Sequence, residues 1–547
     1  MRILSGIIMS ISLLFSASAI YSQISLHWVS RYNGTENFRD EGRAVATDIA
    51  GNIYVTGFSF NTGSFEYITT VKYNTSGVQI WAAVYNGSGN GNDRASSIYP
   101  DNSGNIYVSG YASGAASSSD FVTIKYNTNG IQQWISTYNG TGNAIDYVNS
   151  MSVDQNGNVY VTGQSYGGVV TQYDYATVKY NSDGVQQWVT RYNGSGNSND
   201  QSASVATDVS GNVYVTGSSF ESSTSTLDYA TIKYNSSGIQ QWISYYNGPG
   251  NGIDGASSVK ADNPGNVYVT GYSRGLGSQY DFATIKYNSS GEQQWVSRHN
   301  GNANGNDGAN FMIVDTDGNV FVSGYSPMTG LTNDIVLIKY DNAGIRQWIS
   351  FYNGPANQSD SSLAMAMDSQ GNICVTGFSN GSGTSKDFIT ILYSGNGIQQ
   401  WAMRYDSENN NEDIAYSAAF DQLGNVYVAG KSPTENTAED IVTLKYSTLS
   451  GVSNVISGAS WNFELYGNYP NPFNPSTKIS FTIPELSLVR LSVYDVLGNK
   501  VAILADERLA PGNYTKEFNP VNLPGGVYFC KLEAGNFTKT RKMILVK

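Results

Sequence analysis

The residues best suited to contact a ligand form a series of eight aspartates. Each one follows a Tyr-Asn-Gly turn, or a close variant of it, by a few residues. A carboxylate there can accept hydrogen bonds from sugar hydroxyls or supply oxygen ligands to a cation. We therefore predict that the series takes part in ligand binding. Its members are Asp40, Asp93, Asp146, Asp200, Asp254, Asp307, Asp360 and Asp413.

Calcium is the cation that such loops would suit. The run from Asp315 to Asn319 resembles the start of an EF-hand loop, but the twelfth position of that loop is Ser326 instead of an acid, and the flanks have strand composition. Turn formation explains this run better. Oxygen ligands are plentiful on the loops, so calcium stays open as an alternative to a protein without a cofactor, and no metal ligand set is predicted.

Two further charged series recur in almost every copy of the repeat and are expected to serve packing. A residue present in nearly all copies fits a scaffold better than a single reaction centre, and buried charged groups need partners. The acidic series is Glu66, Asp120, Asp174, Asp228, Asp281, Asp334, Asp387 and Asp440. The lysine series is Lys72, Lys125, Lys179, Lys233, Lys286, Lys339 and Lys445, with Leu392 in the seventh copy.

No catalytic motif is visible, so we expect a protein that is not an enzyme and predict no catalytic residue. The two histidines, His27 and His299, lie outside nucleophile and metal motifs and are expected on outer strands. Cys374 replaces a repeat tyrosine and is expected in the core. A carboxylate pair arranged for glycoside cleavage is the enzymatic alternative.

A fixed repeat positions these residues. The string Gly-Asn-(Ile/Val)-x-Val-(Thr/Ser/Ala)-Gly recurs every 53 or 54 residues, and tryptophans recur with the same steps. Such a period indicates a repeat architecture. The strings begin at Gly51, Gly104, Gly157, Gly211, Gly265, Gly318, Gly371 and Gly424, and the tryptophans are Trp28, Trp81, Trp134, Trp188, Trp242, Trp295, Trp348 and Trp401.

One period contains four short strand-like segments bounded by turn residues, at 256–261, 266–273, 282–287 and 293–299. Four antiparallel strands per repeat describe a propeller blade. The first tryptophan precedes the first Gly-Asn string, whereas the last unit has no tryptophan strand, so the N-terminal strand is expected to complete the last blade. The sequence thus predicts an all-β, closed eight-bladed β-propeller over residues 25–446, with an open solenoid as the alternative.

Composition and the chain ends narrow the function classes. The chain has 547 residues and a net charge of −13, which opposes binding to nucleic acid, and its two cysteines exclude a disulfide scaffold. Residues 1–22 have the basic start, apolar run and small residues of a signal peptide. No later segment is long enough to span a bilayer, so we expect no transmembrane segment in the mature protein.

The tail differs from the repeats. Residues 447–460 form a Ser/Gly-rich linker, and residues 461–547 alternate short strands with Pro, Gly and Asn turns. This pattern predicts a small, immunoglobulin-like β-sandwich.

Both parts resemble known families. GNVYVTGYS followed by DFATIKYNSSGEQQWVSRHNG is similar to the secreted bacterial beta-propeller repeat. The tail motifs NYPNPFNPST, VYDVLGNKV, LPGGVYF and KMILVK resemble the type A C-terminal sorting domain of the type IX secretion system. The second resemblance implies export across a Gram-negative outer membrane, recognition of the tail by the translocon, and release or attachment at the cell surface.

The loops that follow the Tyr-Asn-Gly turns and the loops that follow the Gly-Asn strands emerge on one face of the ring, because strand direction alternates. We call this the variable face, since it carries segments as different as NFRDEGR and SPTENTAED. We therefore expect a secreted or cell-surface binding protein that recognises a polysaccharide or a protein there. A purely structural surface-layer protein and a polysaccharide-degrading propeller enzyme are the alternatives.

Overall fold

The computed structural model describes two stretches of the chain. One is 24–448, apart from residues 36, 62–64, 90, 116, 328–331, 408–410 and 435–437. The other is 464–546, apart from residues 466–467, 469–470, 484–486, 510–511, 521–522 and 535–536. The signal peptide expected at 1–22 and most of the linker expected at 447–460 lie outside the described residues. Contacts separate a compact unit of Ile24–Thr448 from the C-terminal residues.

The described residues of the first unit form eight four-stranded antiparallel sheets, with no helix. The N-terminal strand β1 is Ile24–Tyr32. Blade 1 contains β2 (Glu41–Thr47), β3 (Ile53–Asn61), β4 (Phe65–Tyr73) and β5 (Gln79–Tyr85); blade 2 contains β6 (Arg94–Pro100), β7 (Ile106–Ser113), β8 (Ser119–Tyr126) and β9 (Gln132–Tyr138). Blade 3 contains β10 (Asp146–Val153), β11 (Val159–Gly168), β12 (Gln172–Tyr180) and β13 (Gln186–Tyr192); blade 4 contains β14 (Gln201–Thr207), β15 (Val213–Glu221), β16 (Thr226–Tyr234) and β17 (Gln240–Tyr246).

The remaining four blades repeat this order. Blade 5 contains β18 (Asp254–Ala261), β19 (Val267–Arg274), β20 (Tyr280–Tyr287) and β21 (Gln293–His299); blade 6 contains β22 (Gly308–Val314), β23 (Val320–Pro327), β24 (Asn333–Tyr340) and β25 (Arg346–Tyr352). Blade 7 contains β26 (Asp360–Met367), β27 (Ile373–Asn380), β28 (Lys386–Tyr393) and β29 (Gln399–Tyr405); blade 8 contains β30 (Ile414–Phe420), β31 (Val426–Ser432), β32 (Asp440–Thr448) and β1.

Strand β1 closes the ring. It pairs antiparallel with β32, with Val29 opposite Leu444, and so supplies the outer strand of blade 8. The first strand of each blade contacts the first strand of the next, and β2 of blade 1 contacts β30 of blade 8. The predicted all-β propeller class is confirmed, and β1 lies in one sheet with β30, β31 and β32. The first unit extends slightly beyond the expected residues 25–446, because Ile24 pairs with Thr448.

An aspartate turn explains the Gly-Asn string. Asp262 Oδ1 accepts a hydrogen bond from the Asn266 amide at 2.8 Å, and its Oδ2 accepts bonds from the Asn266 side chain at 2.8 Å and the Tyr268 hydroxyl at 3.1 Å. Gly265 in this turn has a φ of 84°, a conformation that favours glycine. The turn therefore requires both the glycine and the asparagine.

The second glycine of the string allows two strands to approach closely. A Cβ atom on Gly271 would lie 2.0 Å from the carbonyl oxygen of Gly255 on the preceding strand. The approach occurs where a bulge interrupts the pairing of β18 with β19, between Ala256 and Ser258. Any side chain here would force the strands apart.

The repeated tryptophan and lysine join neighbouring blades. Trp134 of blade 2 donates from Nε1 to the carbonyl of Ser182 in blade 3 at 3.0 Å, and Lys125 Nζ donates to the same carbonyl at 3.1 Å. The Lys125 ammonium also lies 5.0 Å from the centre of the Tyr107 ring. The lysine series thus packs blades together, as expected of a scaffold position.

The C-terminal residues form a separate two-sheet β-sandwich. Its core contains Leu465, Phe481, Leu491, Leu532 and Met543, among others. One sheet contains β33 (Glu464–Leu465), β34 (Thr477–Ile483) and β37 (Gly512–Phe518); the other contains β36 (Lys500–Leu509), β35 (Ser487–Tyr494), β38 (Gly526–Ala534) and β39 (Phe537–Leu545).

The two cysteines lie in different units. Cys374 is buried in the ring and Cys530 is buried in the sandwich, and both are free thiols, as the sequence indicates. Burial raises the pKa of Cys530 to about 12, so neither its position nor its protonation suits a reactive thiol.

Candidate functional site

The eight predicted aspartates lie at the variable face and are fully buried. Asp93 shows their common role: its Oδ2 accepts a hydrogen bond from the Gly87 amide at 2.5 Å, and its Oδ1 accepts one from the Ser113 amide at 2.8 Å. Gly87 lies in the loop before blade 2, and Ser113 is the last residue of β7. The carboxylate therefore ties the loop that enters the blade to the end of its second strand. All eight have a relative exposure of 0%: Asp40, Asp93, Asp146, Asp200, Asp254, Asp307, Asp360 and Asp413.

In this position the aspartates hold the backbone of the loops. Because their side chains have no exposed surface, a ligand would contact neighbouring residues and not the aspartates themselves. Ligand binding by the series itself stays a prediction, and the loops that the aspartates hold are the surface that a ligand would meet.

Two members of the series lack their second donor. The residue twenty positions after Asp307 is Pro327, and the residue twenty positions after Asp413 is Pro433. Proline has no N–H group to donate. The Oδ1 atoms of Asp307 and Asp413 are accordingly buried without a backbone donor, and the hydroxyls of Ser326 and Ser432 are the polar groups beside the two aspartates.

Burial also changes the protonation of these groups. It raises the pKa of Asp40, Asp93, Asp200 and Asp307 to about 6, although hydrogen bonds from backbone amides partly oppose the shift. A neighbouring carboxylate from the preceding blade raises the pKa further, such as Glu66 beside Asp93. Carboxylate pairs therefore recur at the blade junctions.

Arginines balance part of the second acidic series. Arg191 donates to Asp174 at 2.7 Å, and Arg298 donates to Asp281 at 2.8 Å. These contacts lie within single blades and link the third strand to the fourth. They support the scaffold role expected of this series.

The run at Asp315 forms the same aspartate turn as the other copies. Its Oδ1 accepts hydrogen bonds from the amides of Asp317 at 3.0 Å and Asn319 at 2.8 Å. Both oxygens are engaged, because Oδ2 accepts from the Asn319 side chain at 2.8 Å. Turn formation is therefore the structural role of this segment.

A cleft of about 330 Å³ opens between the inner strands of blades 8, 1 and 2. We call it the arginine cleft, because two guanidinium groups dominate its lining. The Arg43 guanidinium lies 4.3 Å from the centre of the Tyr416 ring. Its lining residues are Arg43, Arg94, Ala95, Ser96, Tyr111 and Tyr416.

Carboxylates hold both arginines in place. Glu66 accepts two hydrogen bonds from Arg94, one of them at 2.6 Å. Glu41 has no exposed surface and pairs with Arg43 and Arg39. The side chains of Arg43 and Arg94 remain 32% and 31% exposed. Both guanidinium groups are therefore positioned by the protein and still open to solvent.

The ion pairs extend away from the cleft. Glu439 pairs with Arg39 at 2.8 Å and with Lys431 at 2.5 Å.

Burial and the nearby Glu41 raise the pKa of Tyr416 to about 12, so its phenol stays neutral at physiological pH. The site combines fixed cations with a neutral aromatic ring.

The cleft breaks the symmetry of the repeat. The five positions that correspond to Arg43 in blades 3 to 7 are uncharged: Asn149, Ala203, Ser257, Asn310 and Leu363. The segment NFRDEGR is unusual among the repeats, but Arg43, Arg94 and Tyr416 are not among the site residues predicted from the sequence. Charged residues at otherwise neutral repeat positions were the available signal.

Two family models match the chain. Residues 468–547 match the secretion system C-terminal sorting domain, and residues 135–168 and 187–219 match the beta-propeller repeat. The chain carries beta-propeller repeats and a type IX sorting domain. The sorting domain indicates export, followed by secretion or attachment to the cell surface, so the predicted localisation is confirmed.

Individual relatives are distant. The regulatory protein FlaEY of Caulobacter vibrioides is 31% identical over 150 residues, which span 24% of this chain and 15% of that protein. PorZ, a surface component of the type IX secretion system of Porphyromonas gingivalis, is 12% identical with a TM-score of 0.28, over 92% of this chain and 74% of that one.

A propeller of another origin is similarly distant. The β-propeller domain of the Trilobed protease from Pyrococcus furiosus is 9% identical with a TM-score of 0.33, over 69% of this chain and 96% of that one.

In the described residues, we find no helix with the length and apolar character needed to cross a membrane.

Proposed function

We propose that this secreted propeller is a binding protein without catalytic activity, and that it recognises a polysaccharide bearing carboxylate or sulfate groups at the arginine cleft. The observation that carries the proposal is the presence of two partly exposed guanidinium groups, Arg43 and Arg94, in one cleft beside two tyrosines. A guanidinium fork matches the geometry of such anions.

The aromatic residues suit a sugar ring. Tyr416 and Tyr111 line the cleft with Arg43 and Arg94, and an aromatic face packs against the apolar face of a sugar. Ser96 adds a hydroxyl that can donate or accept a hydrogen bond. At about 330 Å³ the cleft lies in the lower part of the usual range for ligand sites, which suits a short section of a longer polymer.

The net negative charge of the chain would direct an anionic polymer to the arginine cleft. The chain carries a net charge of −13, so an anionic polymer is repelled by most of its surface. The carboxylates beside the cleft, Glu41 and Glu66, are held by arginines, which supports a positioning role over a role in acid–base catalysis. The bound polymer would therefore be held without cleavage.

The test compares the mature chain with two arginine variants. Polygalacturonate supplies carboxylates, carrageenan supplies sulfates and dextran is the neutral control, each titrated at fixed ionic strength. We expect binding to at least one acidic polymer and a loss of about tenfold in affinity for Arg94→Lys, which keeps the charge but loses the fork. Arg191→Lys is the matched control, because Arg191 is ion-paired to Asp174 outside the cleft.

Each result separates the alternatives. Equal affinity for dextran, or an equal loss in both arginine variants, would contradict recognition at the cleft. Absence of all polysaccharide binding would favour a protein ligand or a structural surface role. Release of reducing ends from any polymer would overturn the non-enzymatic part of the proposal.

A further inference from the structure

Three carboxylates meet at the junction of blades 7 and 8. One oxygen from each of Asp387, Asp406 and Asp413 lies within 4.8 Å of the others. Asp387 and Asp413 are 2% and 0% exposed, whereas Asp406 is exposed to solvent. The group is therefore largely enclosed by protein and open on one side.

The third carboxylate is specific to this junction. Asp406 occupies the asparagine position of the Tyr-Asn-Gly turn, and the other seven turns keep the amide. Those seven residues are Asn33, Asn86, Asn139, Asn193, Asn247, Asn300 and Asn353. An asparagine is evidently sufficient for the turn, so the added negative charge of Asp406 needs a different explanation.

Unpartnered oxygens provide an independent observation. The Oδ1 atoms of Asp387 and Asp413 are buried and accept no hydrogen bond of normal geometry from the described residues, although the Ser432 hydroxyl lies beside Asp413. For Asp413 the reason is Pro433, which stands where most other copies place a donating amide. A buried carboxylate oxygen without a donor is unfavourable unless a cation or a water meets it.

The local charge suits a divalent ion. The Arg404 guanidinium donates to Asp387 Oδ2, and Asp413 Oδ2 accepts hydrogen bonds from the Ser407 amide and hydroxyl, both at 3.0 Å. Three carboxylates and one guanidinium leave a net charge of −2. Carboxylate oxygens are the ligands that calcium prefers.

We propose that Asp387, Asp406 and Asp413 bind a divalent cation of the calcium type, with water completing the coordination shell. The ion joins the third strand of blade 7 to the loop that enters blade 8. This site is separate from the arginine cleft and does not depend on the proposed polysaccharide ligand.

The junction of blades 5 and 6 provides a matched comparison. Asp281 there is paired with Arg298, and Pro327 leaves Asp307 Oδ1 without a donor, as Pro433 does for Asp413. The difference is Asn300, an amide at the position of Asp406. The proposal therefore predicts that this second junction gains a cation site when Asn300 becomes a carboxylate.

Calcium chloride titrated into the EDTA-treated, desalted mature chain, followed by calorimetry, tests the site. We expect saturable binding to the wild type and a loss of at least tenfold in affinity for Asp406→Asn. Adding Asn300→Asp to the Asp406→Asn variant should restore saturable binding. Melting temperatures measured in EDTA check that each variant is folded.

The decisive comparison is between folded proteins. Absence of saturable binding to the wild type, or equal affinity of the folded Asp406→Asn variant, would overturn the proposal. Should Asp406→Asn fail to fold, Asp406→Ser replaces it. Failure of the double variant to regain binding would show that three carboxylates at such a junction are insufficient and would overturn the assigned ligand set.

Discussion

Asp200 holds the backbone of Gly194, whose amide donates a hydrogen bond to Asp200 Oδ2 at 2.6 Å. The other carboxylate oxygen accepts a bond from the Phe220 amide at 2.8 Å. One buried side chain thereby ties the loop entering blade 4 to the end of its second strand, β15. Such hydrogen bonds anchor the backbone at the variable face, and the copies differ in the residues that this backbone carries.

Replacement of this anchor should destabilise the ring. Asp200→Ala leaves the amides of Gly194 and Phe220 without their acceptor, so we expect a loss of about 2–4 kcal/mol in the free energy of unfolding. Asp183→Ala is the control, because Asp183 is exposed in a turn. Urea denaturation followed by tryptophan fluorescence measures both, and equal effects would contradict the anchoring role.

The same carboxylates make stability depend on pH. Burial raises the pKa of Asp40, Asp93, Asp200 and Asp307 from 3.8 to about 6 in the folded ring. A group with a raised pKa binds more protons in the folded state, so its contribution is complete below about pH 4 and is lost as the pH rises through about 6. In EDTA we therefore expect a lower melting temperature at pH 7.5 than at pH 5.

A single variant tests this assignment. Asp307→Asn removes one titrating group, and its amide nitrogen can occupy the Oδ1 position, where Pro327 offers no competing donor. The variant should show a shallower fall in stability between pH 5 and pH 7.5. A pH profile parallel to that of the wild type would show that Asp307 does not contribute to the dependence.

The ring could be predicted from the sequence because its evidence is periodic. The spacing from Gly51 to Gly424 determines the number of blades, and the early position of Trp28 indicates the closing strand. Pairing of Val29 with Leu444 then follows from the requirement that the last blade be completed. Repetition here makes long-range contacts visible in a one-dimensional pattern.

The candidate site was harder to predict for a physical reason. Arg43, Arg94 and Tyr416 belong to three blades, and they meet only because β2 contacts both β6 and β30 in the closed ring. The burial of the loop aspartates could not be predicted either, because their hydrogen-bond partners are backbone amides, which leave no sequence signature. Departures from the repeat point to such sites more directly than its constant residues do.

The repeated tryptophan allows us to measure how much one hydrogen bond between blades contributes to the free energy of unfolding. Trp134 donates to the Ser182 carbonyl at 3.0 Å, whereas the indole nitrogen of Trp348 is buried without a partner among the described residues. Replacing either tryptophan with phenylalanine removes a similar area of aromatic ring. We expect Trp134→Phe to cost about 1 kcal/mol more than Trp348→Phe in the free energy of unfolding. Equal losses in urea denaturation would mean that ring packing alone supports this position.

Closure of the ring by β1 is expected to stabilise the ring and to protect the edge of β32. Removing residues 24–32 exposes the edge of β32 and withdraws Ile24 and Leu26 from the core of blade 8. An unpaired strand edge promotes pairing with other chains, so we expect a lower melting temperature and self-association in light scattering. Removing residues 468–547 is the control, because the sorting domain lies in a separate compact unit and its loss should leave the melting of the ring unchanged. If the chain without β1 stayed monomeric at an unchanged melting temperature, the other strands of the ring would suffice for its stability.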